Sequence, residues 1–194
     1  MTEEPERQPS VGPVEKVSKL DAARRQLRTA LRLFLQESDS VSIHTLAAAS
    51  HEILRTLIKA KGGGSLIRDS DFIKPEYQKE YEKHINRPRN FFKHADRDPN
   101  EVLEFPSGGN VFDLYDCVVM DYKLNGNKFS SRECQLFMSW FMISYPHLLK
   151  PGIIDLFPKE VQKMIARKEL VPKRRFLDIV DKPDVFPTPN IKGG

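Results

Sequence analysis

The sequence predicts an all-α protein, and three observations support this fold class. In several segments apolar residues recur every three to four positions, which is the spacing of one helix face. The alternation of apolar and polar residues that marks a half-buried strand is scarce. No repeat of about 20–50 residues is present, which argues against a solenoid. We therefore expect an up-and-down bundle of about five to six helices.

Length and composition favour a single domain with tails. The chain has 194 residues, and no apolar run approaches the roughly 18 residues that cross a bilayer. Two cysteines, Cys117 and Cys134, are too few for a disulfide framework or a four-cysteine zinc site. The first ten residues lack the basic and apolar regions of a standard signal peptide, so we expect a cytoplasmic protein with no membrane partner.

Charge and proline content divide the chain into three segments. We expect residues 1–15 to be a disordered tail, residues 16–170 to form the helical domain, and residues 171–194 to be a basic, proline-rich tail. The net charge of +4 permits an anionic partner without requiring one. The segment 159–175 carries seven lysines or arginines against two glutamates and is suited to following an RNA backbone. The alternative is a solvated charged surface.

The first two predicted helices are amphipathic. From Leu20 to Leu35, apolar residues recur at helical spacing, and the opposite face carries four arginines. The second helix starts at a cap provided by Ser40 or Ser42 and ends at the glycines 62–64. The remaining predicted helices are a polar helix at 76–85, a helix from Pro88, two apolar helices at 111–124 and 130–145 (capped by Ser130 or Ser131), and a short basic helix at 159–170.

Residues 89–94, Arg-Asn-Phe-Phe-Lys-His, are the most informative stretch of the sequence. Because proline is favoured in the first turn of a helix, we expect a helix that begins at Pro88. At about 100° per residue, the polar members of the stretch fall on one side of this helix and the phenylalanines on the other, buried side. The polar members are Arg89, Asn90, Lys93 and His94.

This polar set suits phosphodiester chemistry. An arginine presents a planar fork of donors to phosphate oxygens, and a histidine moves protons near neutral pH. The start of a helix would add partial positive charge beside Arg89. When the nucleophile is the 2′-hydroxyl of the RNA itself, no metal or cofactor is needed, and none is expected. The alternative is an ordinary solvated helix face.

An arginine followed by asparagine, with a histidine five residues after the arginine, resembles the R-x(4–6)-H signature of the HEPN superfamily. The specific motif is confined to residues 89–94, and the resemblance in topology covers roughly residues 20–148. It implies an α-helical up-and-down bundle. Many members of this superfamily are metal-independent endoribonucleases of toxin–antitoxin, abortive-infection and CRISPR-linked systems.

The resemblance implies a role for each motif residue. Arg89 would bind the scissile phosphate and stabilise its developing negative charge, and His94 would act as general base or acid. Asn90 would hold a side chain or a phosphate oxygen, and Lys93 would support substrate binding. A homodimer with a composite cleft is implied, with an antitoxin or other regulatory protein as a further partner. Asp96 stands where some HEPN toxins carry the tyrosine that an antitoxin modifies, which puts that mode of neutralisation in doubt.

A polar stripe on the second helix is a candidate second wall of the cleft. His44, His51 and Arg55 share one face, and His51 or the adjacent Glu52 would support the site. The alternative, which we favour, is a polar face or a buried histidine whose hydrogen bonds are satisfied. Because the two histidines are separated by about 10 Å along the helix, the spacing predicts no metal site.

Three functions remain open from the sequence. The first is a HEPN-like, metal-independent endoribonuclease that cleaves RNA by 2′-hydroxyl attack, in defence or stress response. The second is a non-catalytic HEPN-like helical module that binds RNA, a nucleotide or a partner protein. The third is an unrelated all-α regulator or scaffold in which the spacing of Arg89 and His94 is a coincidence. For this third function, no compact helix-turn-helix with a basic second helix is evident in the sequence.

Overall fold

A computed structural model describes residue 12 and residues 14–69, 74–97, 99–168 and 172–176. These residues form six α-helices, three single-turn 3-10 helices and no strand, which confirms the predicted all-α class. The α-helices are α1 (Lys19–Leu35), α2 (Ser40–Lys59), α3 (Pro75–Phe91), α4 (Asn110–Leu124), α5 (Arg132–Ser144) and α6 (Lys159–Ala166). The 3-10 helices are Ser107–Gly109, Pro146–Leu148 and Ile154–Leu156.

Side-chain caps fix where three of the helices begin. The side chain of Ser18 accepts from the amide of Asp21, that of Asp39 from Ser42, and that of Ser131 from Cys134. The predicted Ser131 cap is confirmed. The prediction of Ser40 or Ser42 as the cap of α2 is wrong, because the Asp39 carboxylate bonds to the amide of Ser42, so that both serines lie inside the helix.

Four helices enclose the hydrophobic core. Helix α1 packs along α2, α2 packs along α4, and α5 closes the bundle against α1 and α4. The aromatic residues of α5 lie in this core, where Phe137 is fully buried and Trp140 and Phe141 are almost fully buried. Phe34 of α1 meets both Phe137 and Trp140 edge-on, at ring-centroid distances of 5.5 and 5.1 Å. No helix that the structure describes combines the length and apolar character needed to cross a membrane.

A piece of the segment predicted as a C-terminal tail packs on the bundle. Phe176 is only 8% exposed and belongs to the core cluster. The Nζ of Lys173 lies 4.3 Å from the centroid of the Phe34 ring, within the range of a cation–π contact. Of the two predicted tails, residues 1–11, 13, 171 and 177–194 lie outside the described residues.

Helix α3 differs from the prediction and decides where the motif lies. The prediction of a new helix that begins at Pro88 is wrong, because α3 runs from Pro75 through Pro88 to Phe91. Pro75 takes the favoured first position of the helix, and Pro88 sits in its last turn, where the missing N–H costs a single bond before the helix ends. Arg89 therefore lies at the C-terminal end of a helix, where the backbone carries partial negative charge instead of the expected partial positive charge.

Candidate functional site

The end of α3 separates the motif residues onto two surfaces. Arg89 turns toward α2, and its Nη1 donates to Oε2 of Glu52 at 2.6 Å. The hydrogen bond from Arg89 lowers the pKa of the Glu52 carboxyl group. Glu52, which we expected on the wall of the cleft that α2 forms, is thus an ion-pair partner of Arg89, and the contact neutralises Arg89.

His94 lies on the other surface, beside an open cavity of about 190 Å³. The cavity is lined by Lys83, Arg87, Asn90, Phe91, His94, Arg97 and Glu101. Glu101 accepts a hydrogen bond from Arg87 at 2.8 Å. Among the described lining residues, three permanent cations and an imidazole therefore face one carboxylate, so positive charge is in excess on this part of the lining.

The structure brings some of the predicted site residues together and separates others. Asn90 and His94 line one cavity, Arg89 contacts α2, and Lys93 is exposed without lining that cavity. The predicted burial of the phenylalanines is partial, since Phe91 and Phe92 are both half-buried. The Phe92 ring packs edge-on against Phe105 at a centroid distance of 5.2 Å.

His51 is a buried histidine whose hydrogen bonds are satisfied, as we favoured from the sequence. Its side chain is 3% exposed, and its Nε2 lies 2.8 Å from Oδ2 of Asp116 on α4. The same carboxylate accepts from the hydroxyl of Ser65 and, at 2.8 Å, from the amide of Leu66. Burial alone would raise the pKa of Asp116, but the bonds from His51 and Ser65 hold that pKa below its usual 3.8. This network connects the turn after α2 to α4, and His51 does not line the cavity beside His94.

His44 forms a second buried polar contact between α2 and α4. Its Nδ1 lies 3.2 Å from Oδ1 of Asn110 and 3.6 Å from Oδ2 of Asp113. Burial lowers the pKa of His44 and raises that of Asp113, so both groups are shifted toward their neutral forms. The rings of Phe92 and Phe105 cover the imidazole edge-on, at 5.8 and 5.2 Å.

Sequence reasoning missed the acidic residues of α4 and the turn that follows α2. Asp113 and Asp116 are three positions apart among apolar residues, so both lie on one face of a core helix. Carboxylates in such a position are rarely buried without a partner, and this pattern could have indicated the two buried contacts. In the turn, Asp69 accepts from Arg55 and from Lys59, at 2.6 and 2.7 Å. These two cations hold the Asp69 carboxylate in place. No periodic pattern in the sequence predicts this contact.

Within the described ranges, no three histidine, cysteine, aspartate or glutamate side chains are grouped so that they could hold a metal ion. Burial also raises the pKa of the Cys134 thiol to about 11 and that of Cys117 well above its usual value, which leaves neither as an active nucleophile. Comparisons of this chain with protein-family models, curated proteins and solved structures gave no match.

Proposed function

We propose that this protein is a HEPN-like, metal-independent endoribonuclease whose reaction takes place at the His94 cavity. The observation that carries the proposal is the grouping of one histidine with three permanent cations around a single open cavity. An imidazole moves protons near neutral pH, and lysine and arginine bind phosphate oxygens. This combination is what a 2′-hydroxyl attack on a phosphodiester requires of a protein.

In the proposed reaction the 2′-oxygen attacks the adjacent phosphorus, and the bond from phosphorus to the 5′-oxygen breaks. His94 accepts the proton of the 2′-hydroxyl or donates one to the leaving 5′-oxygen. Lys83, Arg87 and Arg97 stabilise the extra negative charge that develops on the phosphate oxygens. The products are a 2′,3′-cyclic phosphate and a 5′-hydroxyl end, and no metal takes part.

The RNA-cleavage activity of purified protein in excess EDTA tests this function. His94→Ala is expected to lower the cleavage rate by about 100-fold or more, because it removes the proton-transfer group. His84→Ala is the matched control, since His84 is an exposed histidine on α3 that does not line the cavity. The wild type and the control should leave 2′,3′-cyclic phosphate ends.

Two outcomes would count against the nuclease. Equal cleavage by the wild type and His94→Ala would assign the activity to a different site or to a contaminating enzyme. Cleavage that EDTA abolishes would contradict the metal-free reaction. His94→Ala and His84→Ala should both keep the helical circular dichroism of the wild type, because neither histidine belongs to the hydrophobic core.

The position of Arg89 outside the His94 cavity is best explained if the enzyme is a homodimer. In one protomer its guanidinium bonds to Glu52 and lies outside the His94 cavity. The composite cleft implied by the HEPN resemblance would place Arg89 of one protomer at the His94 cavity of the other. Such a site requires the Arg89–Glu52 pair to open or to present its free N–H groups to the substrate.

A mixing experiment tests the composite cleft. Arg89→Ala and His94→Ala are each expected to be inactive alone, and a mixture refolded together should regain part of the wild-type activity, since each mixed dimer contains one intact Arg89–His94 combination. A mixture that stays inactive, although light scattering shows mixed dimers, would mean that both residues act within one protomer. A strictly monomeric wild type would exclude the composite cleft.

The Arg89–Glu52 pair also favours a second candidate function, a non-catalytic module that binds RNA, a nucleotide or a partner protein. A neutralised arginine contributes little to stabilising a transition state. The cavity would then bind RNA without cleaving it. Salt-dependent RNA binding that weakens in Arg87→Ala, without cleavage in several RNA pools, would establish this function instead.

A further inference from the structure

Arg68 is a half-buried arginine that contacts no carboxylate among the described residues. Its Nη1 donates to Oδ1 of Asn86, and its Nε is buried and bonds to nothing in the structure. Among the described residues, no carboxylate oxygen lies within 4.0 Å of its guanidinium, whereas Arg55 and Arg89 each pair with one. Because buried charges in proteins are normally paired, the lack of a carboxylate contact at Arg68 within the described part of the chain leaves room for an anionic partner.

A second cavity, of about 80 Å³, lies beside this guanidinium. It is lined by Arg55, Arg68, Tyr81, Glu82, Ile85 and Asn86. Three donors on the lining residues have no hydrogen-bond partner among the described residues: Nη1 of Arg55, Nη2 of Arg68 and Nδ2 of Asn86. Two guanidinium groups and an amide around a small cavity are a set of donors suited to a tetrahedral oxyanion.

Charges of both signs act on Arg68, and none of the carboxylates among the described residues contacts its guanidinium. Burial lowers the pKa of Arg68; among the nearby charges Asp113 raises this pKa most and Glu52 also raises it, whereas Arg89 and Arg55 lower it. Asp113 partly compensates, but burial raises its own pKa and so weakens its negative charge. Glu82, which is exposed, is the carboxylate among the described lining residues and would oppose a bound anion from the cavity edge.

We propose that the cavity around Arg68 is a phosphate-binding site, in which Arg68 supplies the positive charge and Arg68, Asn86 and the Nη1 of Arg55 donate hydrogen bonds. The site lies apart from the His94 cavity, and the two share no lining residue. Binding at Arg68 does not depend on RNA cleavage, so it is testable even if the proposed nuclease function fails.

Titration of the full chain with inorganic phosphate, followed by calorimetry at constant ionic strength, tests the site. The wild type should bind phosphate saturably, and Arg68→Gln should bind it about tenfold or more weakly, since a charge-assisted pair of hydrogen bonds is lost. Glu82→Gln should bind phosphate several-fold more tightly, because a repelling carboxylate at the cavity edge is removed. Arg28→Gln, which removes an exposed arginine on α1, should bind like the wild type.

Arg68→Gln could bind phosphate weakly only because it folds poorly, and Glu82→Gln separates these two cases. Glu82 is exposed, so its replacement removes no core packing and the variant should fold like the wild type. The proposal is overturned if the wild type shows no saturable phosphate binding. It is also overturned if both Arg68→Gln and Glu82→Gln bind as the wild type does, or if Arg87→Gln, which alters the His94 cavity, abolishes binding by itself.

A second titration identifies the source of the phosphate. One short RNA is compared with and without a 5′-phosphate, in the wild type and in Arg68→Gln. A preference for the 5′-phosphate that disappears in Arg68→Gln assigns the site to an RNA end. Equal binding of the two RNAs, together with saturable binding of inorganic phosphate, assigns it to a free phosphate group.

Discussion

Replacement of Asp116 by alanine is expected to lower the free energy of unfolding by about 3–5 kcal/mol, the usual cost of removing one partner of a buried charged network. Asp116 is 0% exposed and accepts from three donors: Nε2 of His51, the hydroxyl of Ser65 and the amide of Leu66. Alanine would leave all three buried without an acceptor. Asp116→Asn, which keeps one carbonyl oxygen, should lose less stability than Asp116→Ala.

Chemical denaturation followed by circular dichroism measures this change. Asp155→Ala, at an exposed aspartate, is the control and should change the stability by no more than about 0.5 kcal/mol. A loss below about 1 kcal/mol in Asp116→Ala would show that the network is not needed for stability.

The pH dependence gives the Asp116 prediction a second readout. Because the folded-state pKa of Asp116 lies below its usual 3.8, its contribution to stability is present above pH 4 and is lost as the pH falls through the lower, folded value. The unfolding free energy of Asp116→Ala should therefore fall less steeply in acid than that of the wild type.

Replacement of Phe137 by alanine is expected to cost about 3–5 kcal/mol, for a different reason. Phe137 is 0% exposed, and its ring lies within 5.5–6.2 Å of the rings of Phe34, Trp140 and Phe141. The variant would lose the transfer free energy of a phenyl ring and leave a cavity between α1 and α5, which cannot collapse completely.

Phe112→Ala is the matched control for Phe137→Ala. Phe112 is 41% exposed and packs at 6.3 Å from the Phe141 ring, so its removal should cost about 1 kcal/mol. Denaturant midpoints measure both losses, provided that the dependence of free energy on denaturant concentration is unchanged. Equal losses in the two variants would contradict a core centred on Phe137.

The Asp116 network also has a bearing on the phosphate site. The hydroxyl of Ser65 bonds to Asp116 and accepts from the amide of Arg68, so Asp116 holds the turn that presents the Arg68 guanidinium. Asp69, four residues after Ser65, holds the same turn from the other side through Arg55. Stability and the geometry of the cavity therefore depend on the same hydrogen bonds.

The helices of the bundle are largely predictable from sequence because each buries a continuous apolar stripe. Helices α1, α2, α4 and α5 have this pattern, and their existence follows from local periodicity. Helix α3 lacks a buried apolar face, so periodicity does not show where it ends, and the sequence around Pro88 wrongly predicts the start of a new helix. A proline is acceptable at either end of a helix, and only the chain around it decides which end it marks.

The candidate site was predictable only in part. Residues 89–94 identify a stretch rich in phosphate-binding chemistry, and Glu52 was placed near them on the second helix. The cations Lys83, Arg87 and Arg97 were not recognised as partners of His94, because a solvated charged residue and a cavity-lining one look alike in sequence. Arg68 and Asp116 were missed as well, since their partners lie 18 and 50–65 residues away along the chain.

The sequence by itself determined the all-α class, a start of α5 at one of two adjacent serines, Ser130 or Ser131, and the presence of an arginine, a lysine and a histidine within residues 89–94. Those features depend on contacts within about one helical turn, which the order of residues encodes directly. Only the tertiary structure decided that Arg89 pairs with Glu52, that His94 faces a cationic cavity, and that the Nε of Arg68 is buried without a hydrogen-bond partner among the described residues. Each of these depends on which helices pack together, and packing sets the surroundings of every charge.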